Sequence, residues 1–455
     1  MIKIPFKGGG SYYLLSNNTY YYLPPEFNCS KTICNNNYRL KEHQLANFLK
    51  NSKGKIKIGG RYNSDNIIKS IANTQSIDFE VTQKCNLKCI YCAFGKYYKR
   101  SRPNLNNDIN IEYANILIDF LFNLFNHNEL NYSFGKPIYI GFYGGEPLLN
   151  ISGIKKIIAY IEKKTLKYNT IKYTMTTNGV LLDKNIKYLV EKDFSVSISL
   201  DGDQVHNGLR VFPDGSPSFE LVFNNIKSIQ SKFPAFFENN VNFLSVLNIN
   251  SNELDINSFF SSNFNKEPKS LHLSKNDLDP LHRAEFYKNC VPLISNALNL
   301  SDYYKFTRMY SNRIKKTYLE LFPSNNNNIK AIPTGTCVPF SKRVFITTEG
   351  KLLPCEKINH SNFLARVVNN SIKMNYSKIA KLVNEKIEKI ETSCAKCIKK
   401  ERCLECLFNL EYSKNSANCK SYSSNGNDEF FEDIVNSLSS DSKIFKQLIN
   451  EYYEV

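Results

Sequence analysis

Three cysteines stand within eight residues, Cys85-Asn86-Leu87-Lys88-Cys89-Ile90-Tyr91-Cys92, at C-x3-C-x2-C spacing. Three thiolates on one short loop can hold three irons of a [4Fe–4S] cube and leave the fourth iron without a protein ligand. Such an iron is an open coordination position, as in catalytic zinc sites. The same residues also suit structural zinc with a histidine as fourth ligand, and spacing alone does not separate the two. Seven more cysteines lie toward the other end of the chain. Cys337 is followed after twelve residues by Gly350 and after four more by Cys355. Then come Cys394-x2-Cys397-x5-Cys403-x2-Cys406 and finally Cys419. The x2 pairs fit zinc knuckles as well as iron–sulfur clusters.

The elements around the first loop must hold it in place. Ile77, Phe79 and Val81 alternate just before it, which predicts a strand running into the loop. Further strands are expected at 137–143, 171–177, 194–200, 239–248 and 269–274, the first being 77–84. Helices are expected between them, for instance Asn110 to Phe125 and Ile154 to Lys164. This alternation predicts a parallel sheet with crossover helices, in which ligands sit at the carboxyl ends of the strands. Polar motifs fall at those ends. Gly144-Gly145-Glu146-Pro147 follows an apolar run from Ile138. Its glycines permit close backbone approach, and its carboxylate and carbonyls can accept from an ammonium group. A plain strand-to-helix connection with proline in the first turn is the other reading. Thr176-Thr177-Asn178-Gly179 ends the next strand, and Ser197 to Gly202 ends the one after, with Ser199 and Asp201 on one face. His206 and Arg210 follow. Arg210 reads equally well as an anion-binding group and as half of a surface salt bridge.

Taken together, these segments resemble the radical S-adenosylmethionine (SAM) enzymes. The second cysteine set resembles the SPASM extension of radical SAM peptide maturases, except that Cys403 and Cys406 stand one residue closer than usual. The resemblance runs from residue 77 to 420. It implies an α/β fold: a partial (β/α)6 TIM-like barrel, a C-terminal cysteine-rich SPASM domain and an N-terminal α+β extension. It implies SAM and three [4Fe–4S] clusters as cofactors, the first cluster on Cys85, Cys89 and Cys92. The SAM amino group would meet Gly144, Gly145, Glu146 and Pro147, beside the strand end carrying Thr176 and Asn178. Ser199 and Asp201 would bond the ribose, Arg210 the SAM carboxylate, and Tyr91 would pack near adenine. Auxiliary cluster I would use Cys337, Cys355 and Cys406. Auxiliary cluster II would use Cys394, Cys397, Cys403 and Cys419. Pro333-Thr334-Gly335-Thr336 holds no further cysteine, so cluster I is either open at one iron or completed by Cys290, the nearest upstream.

The implied activity is modification of a ribosomally synthesised peptide by hydrogen-atom abstraction with a 5′-deoxyadenosyl radical. The outcome would be a thioether or carbon–carbon crosslink, an oxidation or an epimerisation. The partners would be the precursor peptide and a reductant such as flavodoxin or ferredoxin. The alternative enzyme is an anaerobic sulfatase maturase forming formylglycine, whose base is an aspartate directly after the second SPASM cysteine. Glu356 stands there, as the candidate base or, the reading favoured by its longer side chain, as a core or surface salt-bridge residue. From another class, a non-catalytic metal-binding scaffold would hold zinc and cleave no SAM.

Length and composition bound these readings. The chain has 455 residues, enough for two or three domains. The expected division is an N-terminal extension at 1–75, the barrel at 76–280, a helical linker at 281–335, the SPASM region at 336–424 and a helical tail at 425–455. The extension reads as strand–turn–strand around Ser16-Asn17-Asn18 and a helix from Lys41 to Leu49, either a peptide-recognition module or an embellishment of the barrel edge. Thirteen cysteines in so large a chain point to metal in a reducing cytoplasm rather than to disulfides. No apolar run matches a signal peptide or a membrane span. The formal charge of +17 is spread along the chain without a compact basic block, so no nucleic-acid partner is expected.

Overall fold

The structure is a computed structural model. It describes residues 2–5, 11–14, 20–23, 61–99, 106–273, 277–291, 334–397, 403, 405–413, 416–419 and 422. The chain divides into two compact units. One comprises Met1–Arg61, Ser295–Thr336 and Leu382–Val455, and the other Tyr62–Ile294 and Cys337–Lys381.

In the first unit, β1 (Ile2–Pro5), β2 (Ser11–Leu14) and β3 (Tyr20–Leu23) form an antiparallel sheet with β2 in the middle. Tyr12 pairs with Ile4 on one side and Tyr22 on the other. The two strands expected on either side of Ser16-Asn17-Asn18 are present as the antiparallel pair β2 and β3, the three residues themselves lying outside the described ones, and β1 is a strand that sequence patterning missed. The helix expected at Lys41 to Leu49, most of the linker and the tail lie outside the described residues.

The second unit begins with α1 (Ser64–Ile71), whose Asn63 cap and Asn66 exchange reciprocal side-chain-to-backbone bonds. Then come β4 (Ser76–Thr82), α2 (Ile111–Phe125), β5 (Pro137–Gly144), α3 (Ile151–Ile161), β6 (Thr170–Thr177) and α4 (Leu182–Glu191). They are followed by β7 (Ser195–Ser199), α5 (Phe219–Lys232), α6 (Pro234–Asn240), β8 (Val241–Leu247), α7 (Glu253–Phe264) and β9 (Lys269–His272). Strands β4 to β9 lie side by side in chain order, each parallel to the next. These are the six expected barrel strands, with ends displaced by at most two residues. Ser274, the expected end of the sixth strand, lies outside the described residues.

Side-chain parity explains where the core sits. Ile77, Phe79 and Val81 on β4, Ile138, Ile140 and Phe142 on β5, and Val196 and Ile198 on β7 are buried with Leu117, Leu121, Ile154 and Ile158 of the helices. The opposite-facing positions on β4, β6 and β7 carry Ser76, Asp78, Glu80, Thr174, Thr176, Ser197 and Ser199. The apolar core therefore lies between sheet and helices, and the opposite face is polar, unlike the packed interior of a closed eight-stranded barrel.

Past α8 (Arg283–Cys290), the chain adds strands that the sequence did not suggest. β10 (Arg343–Ile346) pairs parallel with the open edge of β4. β11 (Lys351–Leu353), β12 (Ala365–Val368) and β13 (Ser371–Met374) follow antiparallel, giving a ten-stranded sheet. The β10–β11 turn rests on Gly350 at φ 74°, where a Cβ would also meet the Tyr113 ring at 3.0 Å. This is a physical reason for the glycine between Cys337 and Cys355. The last long element is α9 (Tyr376–Lys396).

Candidate active site

The cysteine loop leaves β4 and is tied down by backbone bonds. Lys88 N–H donates to Val211 O at 2.7 Å and Ile90 N–H to Leu209 O at 2.9 Å. Cys92 N–H donates to Cys89 O at 3.1 Å, closing a tight turn. Cys85 is exposed, and Cys89 and Cys92 are half-buried. Burial pushes the Cys89 thiol up to about 12; Cys92, Cys85 and Asp201 add to this and Arg210 opposes it. The three thiols thus share one neighbourhood with one cation. Metal binding would release their protons.

The Gly144-Gly145-Glu146-Pro147 turn presses on the back of this loop. Gly145 N–H donates to Thr82 O at 2.9 Å and Glu146 N–H to Lys84 O at 2.8 Å. A Cβ on Gly144 would lie 2.1 Å from Thr82 O, and one on Gly145 2.1 Å from Lys84 O. The close approach these glycines allow is to the chain's own backbone. Pro147 opens a short 3₁₀ turn capped by Glu146. Glu146 is fully buried. Its Oε1 accepts from Leu148 N–H at 3.1 Å and Thr177 Oγ at 2.7 Å, and its Oε2 from Asn178 N–H at 2.7 Å. Burial pushes its carboxyl up to about 6, and these bonds restrain the rise. Glu146 therefore staples the end of β5 to the end of β6. Asn178 carries the link onward: its Nδ2 donates to Asn86 Oδ1 at 2.7 Å and lies 3.8 Å from Cys85 Sγ. Thr176, just before it on β6, is half-buried on the polar face.

Beyond β7 a buried polar group joins three segments. Asp201 is fully buried. Its Oδ1 accepts from Val246 N–H at 3.0 Å, and its Oδ2 from the Tyr91 hydroxyl and from Asn248 Nδ2 at 3.4 Å. Arg210 Nη1 donates to the Tyr91 oxygen at 2.8 Å and stands 3.9 Å from Asp201 Oδ1. Arg210 is buried and so is not a surface salt bridge. Burial works against its charge, and Tyr91, Cys89 and Asp201 outweigh that. Burial likewise pushes the Asp201 carboxyl up, against Arg210 and Tyr91. Ser199 is half-buried at the end of β7, and the buried His206 ring has Nδ1 2.7 Å from Asp203 Oδ1.

On the strand next to β4, Arg343 of β10 joins residues far apart in sequence. Its Nε lies 2.6 Å from Asp78 Oδ2 on β4, and its Nη1 pairs with Glu356. Cys355 Sγ donates to Glu356 Oε2 at 3.1 Å. Burial would raise the Glu356 carboxyl, but Arg343 and the Cys355 bond more than offset this and hold it low. Burial, with Glu356 beside it, pushes the Cys355 thiol up to about 12. Cys337 is exposed. Cys290 is fully buried in an apolar cluster with Tyr91, Tyr97, Tyr98 and Phe286. Asp78 and Arg343 were not anticipated; for Asp78 the signal was its alternation with Ile77, Phe79 and Val81.

In the first unit, Cys397 N–H donates to Cys394 O at 3.1 Å at the end of α9. Burial raises the Tyr412 hydroxyl above the ordinary tyrosine range, and Cys406, Cys394 and Cys419 add to this. Cys403 is half-buried. No disulfide joins any two cysteines among the described residues, and Cys29 and Cys34 lie outside them. Among the described residues no three Cys, His, Asp or Glu side chains are closed around a metal-sized point. What suits iron–sulfur chemistry is the donor set: thiols grouped on one anchored loop beside a buried arginine.

Comparison with known proteins bears on these features. The Radical SAM superfamily profile matches residues 79–256. An uncharacterized protein of Methanocaldococcus jannaschii is 37% identical over 140 residues, 30% of this chain and 43% of its own length. The radical SAM cyclopropyl synthase TigE of Paramaledivibacter caminithermalis is 28% identical over 255 residues, 52% of this chain and 48% of its own. The chain thus spans about half the length of these curated relatives. A probable GTP 3′,8-cyclase of Archaeoglobus fulgidus is 26% identical over 314 residues, 64% of this chain and 92% of its own. Among solved structures, native anSMEcpe with bound AdoMet and Cp18Cys peptide superposes with a TM-score of 0.56 at 20% identity. That match covers 84% of this chain and all of the other, and shows the shared fold. No helix among the described residues is long and apolar enough to cross a membrane.

Proposed function

The chain carries a radical SAM domain on a TIM-like α/β fold, and on that premise we propose that it modifies a ribosomally synthesised peptide by hydrogen-atom abstraction. The observation that carries this reading is the second cysteine set, Cys337 to Cys419, which follows the order of the SPASM extension of peptide maturases. The similarity to TigE, a cyclopropyl synthase, supports it.

Cys85, Cys89 and Cys92 would hold the first [4Fe–4S] cluster. With SAM bound, that cluster supplies the one-electron cleavage that yields a 5′-deoxyadenosyl radical. The protein's part is binding and orientation. Glu146 and Asn178 brace the cysteine loop from behind, so that Gly144, Gly145 and Pro147 can offer backbone to the SAM amino group. Arg210, buried and charged, is the cation available for the SAM carboxylate. Thr176 and Ser199 line the polar face where ribose and substrate would lie, and the Tyr91 ring helps to wall the site. Cys337, Cys355 and Cys406 would hold auxiliary cluster I, and Cys394, Cys397, Cys403 and Cys419 auxiliary cluster II. Cys290 packs in an apolar cluster, and we assign it to the fold rather than to iron. Cluster I would then keep a position without cysteine. A flavodoxin or ferredoxin in a reducing cytoplasm would serve as reductant.

The sulfatase-maturase alternative needs Glu356 as a base. A carboxylate paired with Arg343 and held low is a poor proton acceptor, which favours the crosslinking or epimerising readings. Anaerobically reconstituted enzyme should be incubated with SAM, a reductant and peptides from short reading frames beside the gene, then followed by mass spectrometry in normal and heavy water. Loss of hydrogens from one peptide, or deuterium gained at an α-carbon, supports the proposal. A formylglycine product supports the alternative. Turnover of GTP with every peptide untouched refutes both.

A further inference from the structure

We infer that the Tyr91 hydroxyl is a positioning group, which holds Arg210 off Asp201 and presents it to the carboxylate of SAM. The inference deepens the proposed SAM site and rests on it.

The hydrogen bonds around Asp201 lead to this role. The Asp201 carboxylate is acceptor-only when ionised and takes the hydroxyl proton of Tyr91. With its proton committed, the Tyr91 oxygen can only accept, and the donor it meets is Arg210 Nη1 at 2.8 Å. The direct distance from Arg210 Nη1 to Asp201 Oδ1 is 3.9 Å, too long for a hydrogen bond. The hydroxyl therefore stands between two buried opposite charges that would otherwise close on each other. Neither neighbour is loose. Asp201 is fixed by Val246 N–H and Asn248, and the Tyr91 ring is packed with Tyr97, Tyr98 and Phe286.

The backbone supports the same geometry. Lys88 and Ile90 of the cysteine loop bond to Val211 and Leu209, the two neighbours of Arg210. Tyr91 and Arg210 thus move together with the loop that carries the thiols. The guanidinium has five N–H donors, and among the described residues its side chain makes one hydrogen bond, to Tyr91. The remaining donors sit in a buried site beside Cys89 and suit a bidentate carboxylate. Without the hydroxyl, Arg210 can close onto Asp201 and turn those donors away.

The test compares SAM with decarboxylated SAM, which lacks only the group that Arg210 would read. Equilibrium binding to the reconstituted full-length enzyme should be measured for wild type, Tyr91→Phe and Arg210→Met. Tyr91→Phe should weaken SAM binding by about tenfold, the scale of a charge-assisted hydrogen bond, with decarboxylated SAM within about twofold of wild type. Arg210→Met should show the same one-sided loss, only larger. Equal loss for both ligands in Tyr91→Phe would mean the residue is merely structural and overturns the inference. So would unchanged binding of both. If Tyr91→Phe fails to hold iron, Asp201→Asn, which removes the charge that Arg210 would close onto, gives the complementary comparison: a preference for SAM kept at the wild-type level supports the inference, and a one-sided loss of SAM binding overturns it. Wild type that does not prefer SAM to decarboxylated SAM refutes the carboxylate role of Arg210 itself. Wild type with that preference, kept by Tyr91→Phe, leaves the site standing and refutes only the role of Tyr91.

Discussion

Gly145→Ala probes the contact on which the site depends. The added Cβ would lie 2.1 Å from Lys84 O, 2.6 Å from Lys84 C and 2.8 Å from Gln83 O, all backbone atoms of the cysteine loop. Ordinary contact begins at 3.4 Å, so the turn and the loop must part by about 1.3 Å. That separation breaks the bonds from Gly145 N–H to Thr82 O and from Glu146 N–H to Lys84 O, 2.9 and 2.8 Å long. Overpacking of this kind costs about 1–3 kcal/mol, which a fold of this size can absorb. Catalysis is less tolerant, because a misplacement of about 1 Å can cost about 100-fold in rate. The assay is anaerobic, dithionite-driven formation of 5′-deoxyadenosine, with iron content and urea unfolding measured in parallel. The expected result is a folded protein whose SAM cleavage has fallen by about 100-fold. Gly135→Ala is the control. That glycine has φ 73° but no atom within 4 Å of where a Cβ would stand, so the change should cost about 1 kcal/mol of stability and no activity. Wild-type cleavage by Gly145→Ala would show that the turn does not position the loop.

Three further outcomes follow from buried groups. The Glu146 carboxyl is raised from its ordinary 4.5 to about 6, so the stability it contributes is full below pH 4.5 and declines as pH rises through 6, by about 2 kcal/mol in all. Urea unfolding of metal-free protein at pH 5 and 7.5 should show that decline in wild type and lose it in Glu146→Gln; identical pH slopes would contradict the assignment. Arg343→Met strands the Asp78 and Glu356 carboxylates and should destabilise the protein by about 3 kcal/mol, and a loss under about 1 kcal/mol in urea titration would show that the pair is not coupled. Cys290→Ala should leave iron and labile sulfide at wild-type levels, whereas the loss of one cluster's worth of iron would make Cys290 a ligand after all.

Much of the second unit was legible because its physics is local. The strands β4 to β9 announce themselves by apolar runs and by the helices between them, and the glycine and asparagine motifs mark their carboxyl ends. Strands β10 to β13 did not, since each has three or four residues and they fold back on one another beside a distant edge. The site divides in the same way. Cysteine spacing is visible in one dimension, but the pairing of Asp78 with Arg343 joins residues some 265 apart in sequence and is fixed only when β10 docks on β4. Glu146 could be picked out by its motif, yet its partners, Thr177 and Asn178, come from the end of the neighbouring strand. Tyr91 was read for its ring; that its hydroxyl separates Asp201 from Arg210 depends on a direction that residue type does not encode.

The central claim is that the loop Cys85-Cys89-Cys92 carries the iron that cleaves SAM. The most direct measurement is 5′-deoxyadenosine formed from SAM and dithionite by reconstituted wild type and by the Cys85→Ala/Cys89→Ala/Cys92→Ala variant, each with iron and sulfide quantified. The account predicts cleavage by wild type and none by the variant, which should keep the iron of its auxiliary sites. Cleavage at the wild-type rate by the variant, or zinc without labile sulfide in the wild type, would contradict it.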